Sequence, residues 1–113
     1  MHELSLCQST VDIISQQALQ HGVKRVTGVW LEVGALSCVE EGALRFGFDV
    51  ACRGTVAEGS QLHIIHKAAQ AWCWDCSREV EITSHEAQCP HCQGFRLRVD
   101  NGDTLQIKEI EVE

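Results

Sequence analysis

No apolar run in this 113-residue sequence approaches the ~20 residues that cross a bilayer as a helix. The N-terminus also lacks the basic stretch and apolar core of a secretory signal, so the expected compartment is the cytoplasm, with no membrane partner. Cations are scarce: 9 Lys and Arg stand against 16 Asp and Glu, a formal charge of -7. That balance repels a polyphosphate partner and argues against nucleic-acid binding, which depends on clustered Lys and Arg. There is no Ser-His-Asp set, no phosphate-cradling glycine loop and no paired acid and base that could share a pocket, so no enzyme activity is expected.

Cysteine, by contrast, is abundant. Seven cysteines in a secreted chain of this size would suggest a disulfide scaffold, but the count is odd and there is no export signal. Reduced thiols and metal binding fit better. Hydrophobic residues make up 44% and charged residues 22%, an ordinary globular composition, and the length suits one modest core with at most a small second module.

Leu4, Cys7, Val11, Ile14 and Ala18 recur at spacings of three and four, which predicts an amphipathic helix stopped by His21-Gly22. Val26 to Val33 is rich in β-branched and aromatic residues, with Val29, Leu31 and Val33 on one face, and predicts a strand ending at Gly34. Ser37 and Glu40 have capping-box spacing before a second helix, whose apolar face would be Val39, Ala43, Phe46 and Val50. That helix should run to about Cys52, with Gly54 as a cap and a short strand from Gln61 to His66 after a turn at Gly59.

From Ala71 to Val99 large aliphatic residues nearly vanish, so burial alone should not hold this segment together. Asp100-Asn101-Gly102-Asp103 then predicts a tight turn. In the last strand Leu105 and Ile107 fall out of phase with Ile110 and Val112, and a β-bulge near Lys108-Glu109 would restore one buried face. This strand is assigned to the first module, which makes the cysteine segment an insertion between two strands of one sheet.

Cys73-Trp74-Asp75-Cys76 and Cys89-Pro90-His91-Cys92 are two C-x-x-C pairs with 12 residues between them, Ser77 to Gln88. Each pair suits a tight turn aiming two sulfurs at one point, and zinc prefers four tetrahedral thiolates at about 2.3 Å. Buried thiols or a redox C-x-x-C are the plainer readings, and a rubredoxin-like iron site uses the same ligands. Zinc is the expected ion, in a closed structural site. Four thiolates around one divalent ion leave a local charge of about -2. The other cysteines, Cys7, Cys38 and Cys52, fall on helical or near-core positions and are read as small hydrophobes outside the site.

Met1-His2-Glu3 offers a second chelate. Methionine aminopeptidases need a small second residue, so Met1 is expected to be retained ahead of His2. The Met1 amine and the His2 amide nitrogen then close a five-membered ring on a metal, and the amide and Nδ1 of His2 close a six-membered one. Three planar nitrogens suit Ni(II) or Cu(II), with the Glu3 amide or a carboxylate of Glu3 or Glu40 as the fourth donor. The plainer reading is a solvated N-terminus.

The opening MHELSLCQ, the block V-W-L-E-V-G-A-L-S-C-V-E from Val29 and the double C-x-x-C closely resemble the HypA/HybF family of hydrogenase nickel-incorporation proteins over the whole chain. The stretch Ala71 to Cys76 and the closing Ile107 to Glu113 are most similar to its HybF-type branch. The resemblance implies an α+β fold: a two-helix, three-stranded-sheet nickel-binding domain (residues 1–68 plus 101–113) with an inserted zinc-ribbon domain (69–100). It implies a metallochaperone that works with a nickel-binding GTPase to load the large-subunit precursor of a nickel–iron hydrogenase. Position by position, His2 resembles the family's nickel ligand, aided by the Met1 amine and with Glu3 nearby, and Glu40 is a further candidate. Cys73, Cys76, Cys89 and Cys92 match its zinc ligands. His91 inside one knuckle and His85 shortly before it are either modulators of the zinc site or solvated residues. A zinc-ribbon adaptor without nickel delivery is the competing reading, and the expected state is a monomer or weak homodimer.

Overall fold

The computed structural model describes residues 2–84 and 88–113, with His2 described by its backbone alone. Its elements in order are α1 (His2–Gln20), β1 (Val26–Gly34), α2 (Glu41–Cys52), β2 (Gln61–Lys67), β3 (Ala69–Cys73), β4 (Arg78–Ile82), β5 (Leu97–Asn101) and β6 (Leu105–Val112). They form an α+β fold with two three-stranded sheets, ordered β2-β1-β6 and β4-β3-β5. The last strand therefore joins the first sheet, and both cysteine pairs lie in the chain between β2 and β6. Contacts divide the chain into two compact units. One is Met1–Leu31, Val39–Ile64 and Ile107–Glu113, and the other is Glu32–Cys38 and Ile65–Gln106.

In the first unit, α1 buries Cys7, Val11, Ile14 and Ala18, as its spacing predicts, together with Thr10, whose hydroxyl donates to the Leu6 carbonyl at 2.7 Å. The helix ends as its Gly22 suggests. Gly22 adopts φ 66, its N–H donates to the Leu19 carbonyl, and the Val23 N–H reaches back to Ala18, which satisfies two carbonyls the helix would leave open. β1 contributes buried Val26, Val29 and Leu31 to this unit, and its last residues, with buried Val33 and the terminal Gly34, belong to the second.

α2 departs from the expected pattern in two ways. The Ser37 hydroxyl donates to the Gly34 carbonyl, and Glu40 caps the helix itself, its carboxylate accepting from the N–H groups of Gly42 and Ala43 at 2.9 and 2.6 Å. The buried face is Leu44, Gly47, Phe48 and Cys52, while Phe46 is 71% exposed. The close approach of α1 explains the choice. A Cβ at position 47 would lie 3.2 Å from Cys7 Sγ, and that thiol donates to the Leu44 carbonyl at 3.4 Å.

In the second unit, β3 pairs antiparallel with both β4 and β5. Ala71 and Cys73 face a small core with Leu36, Ala69, Val80, Ile82 and Cys89, so the cysteine segment does bury a core, which it shares with Leu36 from the loop after β1. The expected tight turn is also modified: Asn101 ends β5, and only Gly102 of the Asn-Gly pair takes positive φ, at 95. In β6 the half-buried residues are Leu105, Ile107 and Ile110, which keeps the expected phase slip, but Val112 is 45% exposed.

Candidate metal centre

β3 and β4 are antiparallel neighbours, so the turn between them carries Cys73 and Cys76 at one end of the small sheet. Each C-x-x-C turn is followed by a residue in the left-handed region, Ser77 at φ 51 and Gln93 at φ 58, which curls the chain back around its two sulfurs. Within the knuckles the Cys76 N–H donates to Cys73 Sγ and the His91 N–H to Cys89 Sγ, both at 3.4 Å. Such bonds favour sulfur as thiolate.

The four sulfurs lie within 4.8 Å of one another, and the Cys73–Cys92 and Cys76–Cys89 separations are both 3.7 Å. A regular tetrahedron of sulfurs at about 2.3 Å from its centre has edges of about 3.8 Å, which the two 3.7 Å separations match, so the four cysteines are grouped as a tetrahedral four-thiolate site requires. Among the described residues the four are free of disulfide bonds. Once bound, such an ion ties two turns of a small sheet together, and with all four positions filled by protein it leaves none open for catalysis.

As thiols the four sulfurs perturb one another. Hydrogen bonding with Cys92, followed by burial, pushes Cys76 up to about 12. At Cys89 burial works upward, but the N–H groups of Cys92 and His91 outweigh it and hold the thiol down to about 7. At neutral pH, then, Cys89 is partly ionised and Cys76 carries a proton that metal binding must expel. Apparent metal affinity is expected to rise with pH between 6 and 8, with protons released on loading, as competitive titrations in two buffers of different ionisation enthalpy would measure. A pH-independent affinity would count against thiolate ligation.

The residues proposed for the N-terminal chelate are only partly described. Met1 and the His2 side chain lie outside the described residues, as does His85. His2 opens α1, and the Glu3 carboxylate accepts from the Glu40 N–H at 3.4 Å, which brings two of the named acids together at the start of α2. Both oxygens of Glu40 are used in the cap. Of the other cysteines, Cys7 and Cys52 are buried as expected, and Cys38 is exposed in a left-handed turn at φ 59. Burial, then the nearby charge of Glu3, raises the Cys7 thiol, which keeps it a protonated core group.

One contact around the quartet was not anticipated from the sequence. Asp75, inside the first knuckle, pairs with Arg96 beyond the second at 3.1 Å. The available signal was Gly94, two residues past Cys92, where a Cβ would come 2.9 Å from Asp75 Oδ2.

The sequence matches, over residues 1–112, the family described as HypA, hydrogenase/urease nickel incorporation, metallochaperone. It is 73% identical to a protein named hydrogenase maturation factor HybF from Salmonella typhimurium, and 70% and 64% identical to proteins of the same name from Escherichia coli K12 and Morganella morganii. Each of these alignments covers the whole of both chains. The fold is similar to the solution structure of the Ni metallochaperone HypA from Helicobacter pylori, with a TM-score of 0.70 at 16% identity over 97% of this chain and 96% of that one. A second solution structure, of a HypA protein, gives a TM-score of 0.74 at 18% identity over 100% and 97% of the two chains. The family carries metal for enzyme maturation and is not itself catalytic. By a family match spanning nearly its full length and by these full-length relatives, the chain belongs to the HypA family of hydrogenase/urease nickel-incorporation metallochaperones.

Proposed function

We propose that this protein captures Ni(II) through the Met1 amine, the His2 amide and imidazole and a donor from Glu3, with Glu40 as a further candidate. It then passes the ion, with a nickel-binding GTPase, to the large-subunit precursor of a nickel–iron hydrogenase in the cytoplasm. The observation that carries this reading is the 73% identity, over the full length, to a hydrogenase maturation factor. Local chemistry supports it. His2 opens a helix, so the first N–H groups have no intrahelical acceptor, and an amide there can lose its proton to a metal without breaking a helical hydrogen bond. In this reading the nickel module comprises residues 1–68 plus 101–113. Residues 69–100 form the zinc module, with Zn(II) held by Cys73, Cys76, Cys89 and Cys92, and the chain works as a monomer or weak homodimer.

Nickel titration by calorimetry tests the chelate directly. His2→Ala, and a variant with one residue added before Met1, are each expected to weaken nickel binding by about tenfold or more, equivalent to about 1.4 kcal/mol. Binding should also weaken on acidification, because the amine, amide and imidazole must lose protons to bind. Native affinity in both variants would refute the N-terminal site. A native chain that binds no nickel at all would favour the zinc-ribbon adaptor reading, for which the exposed Trp74 and Phe95 of the second unit supply contact surface.

A further inference from the structure

The four sulfurs of the metal centre are not equivalent. Cys73 and Cys89 are fully buried in the small core, Cys76 is half-buried against it, and Cys92 is exposed. The asymmetry follows from where each residue falls. Cys73 ends the central strand β3 with its side chain inward, whereas Cys92 closes the second knuckle outside the core.

Asp75 stands beside this exposed sulfur. Around the empty side of Gly94, Asp75 Oδ2 and Cys92 Sγ converge to within 2.9 and 3.3 Å of the point a Cβ would occupy. A carboxylate next to a thiolate raises the cost of an already anionic cluster. Arg96 offsets that cost: its Nη1 donates to Asp75 Oδ1 at 3.1 Å, and its carbonyl accepts from the Trp74 N–H at 3.0 Å. The Cys89 N–H donates to the Gly94 carbonyl at 2.9 Å, so the limb carrying Cys92 is tied to both knuckles within a few residues.

We propose that Cys92 is the opening corner of the four-sulfur centre. It is the ligand at which a soft electrophile, or a competing thiol, first breaks a metal–sulfur bond, and the Asp75–Arg96 pair is the latch on that corner. Exposure decides among four similar thiolates, because attack needs a clear approach to the sulfur lone pair. With a maleimide, the Cys92 sulfur adds to the alkene, a C–S bond forms, the adjacent carbanion takes a proton from water, and the metal–sulfur bond is lost. Arg96 is a positioning residue here, acting through Asp75. The inference rests on the zinc reading of the quartet.

The test uses the full chain with zinc content measured beforehand. It is treated with substoichiometric N-ethylmaleimide, zinc release is followed with a chromogenic chelator, and labelled positions are assigned by peptide fragmentation. Cys38, exposed and outside the quartet, serves as the internal reference for a free thiol. Within the quartet, Cys92 should label about fivefold or more ahead of Cys73, Cys76 and Cys89, and zinc release should track Cys92 labelling. Arg96→Ala should speed both about threefold, the scale of an exposed ion pair, and Arg96→Lys should restore the native rate. Even labelling of the four cysteines, or zinc release ahead of Cys92 labelling, would overturn the corner whether or not the Arg96 variants fold. An Arg96→Ala chain that labels at the native rate would overturn the latch. A native chain that contains no zinc would overturn the zinc reading and the corner together.

Discussion

Removing zinc with a strong chelator, or replacing Cys89 by Ser, is expected to unfold the second unit while α1 and α2 stay folded. The reason lies in what that unit buries. Its core is Leu36, Ala69, Ala71, Cys73, Val80, Ile82 and Cys89, with Cys76 and Leu97 packed against it. Two of the seven are alanines and two are cysteines, so aliphatic burial is small beside the entropy of ordering three strands and two knuckles. A structural zinc ion contributes on the order of 10 kcal/mol or more, enough to decide whether such a unit is folded. The first unit has its own core of Cys7, Val11, Ile14, Val26, Val29, Leu31, Leu44 and Phe48, so it is expected to stay folded without the zinc ion. Hydrogen exchange read by mass spectrometry should show protection lost across β3, β4 and β5 on chelation and kept in the two helices. Unchanged protection in all three strands after complete zinc removal would mean that the ion is not structural.

Much of this arrangement is legible in the sequence because the signals are local. The stripe Cys7, Val11, Ile14, Ala18 is a single helical face, and Gly22 supplies the one residue type that suits the left-handed stop. Two C-x-x-C pairs announce a four-sulfur site by spacing alone. The face of α2 was not legible, because the helix carries two apolar stripes and its own sequence does not rank them. Val39, Ala43, Phe46 and Val50 look as good as Leu44, Gly47, Phe48 and Cys52 until α1 is present. Then the side carrying Gly47 is the one that lies against Cys7 at close range. The capping box failed for a similar reason: Glu40, expected at the third helical position, lies one residue before α2 and caps it with its own carboxylate. The Asp75–Arg96 pair joins the first knuckle to the chain beyond the second, a contact set by the antiparallel pairing of β3 with β5, which no local pattern in the sequence announces. Leu36 is the most instructive omission. It lies outside the cysteine segment, yet it completes that segment's core.

Leu36 reaches that core through a crossing of backbones that tolerates no side chain. The Gly34 N–H donates to the Thr104 carbonyl at 3.0 Å, the Ala35 N–H to Lys67 at 2.9 Å and the Leu36 N–H to Gly102 at 2.7 Å. A Cβ on Gly34 would fall on the Gly102 carbonyl, and a Cβ on Gly102 would fall on Ala69. Neither obstacle is the end of a flexible side chain, so relief requires moving backbone and giving up these hydrogen bonds, each worth about 1 kcal/mol. Gly34→Ala is therefore expected to destabilise the second unit by about 3–5 kcal/mol, above the usual range for overpacking. Gly102→Ala should cost as much, since its φ of 95 adds backbone strain to the clash. Gly54→Ala is the control: its φ is 78, but nothing lies within 4 Å of the added methyl, so about 1–2 kcal/mol is expected from backbone strain alone. Urea denaturation followed by Trp fluorescence would rank the three. Zinc retention carries the further consequence, because displacing Leu36 loosens the core that holds Cys73 and Cys89. Gly34→Ala and Gly102→Ala should lose zinc to a chelator faster than the native chain, and Gly54→Ala should not. If all three variants retain zinc equally, the glycine crossing does not support the metal centre.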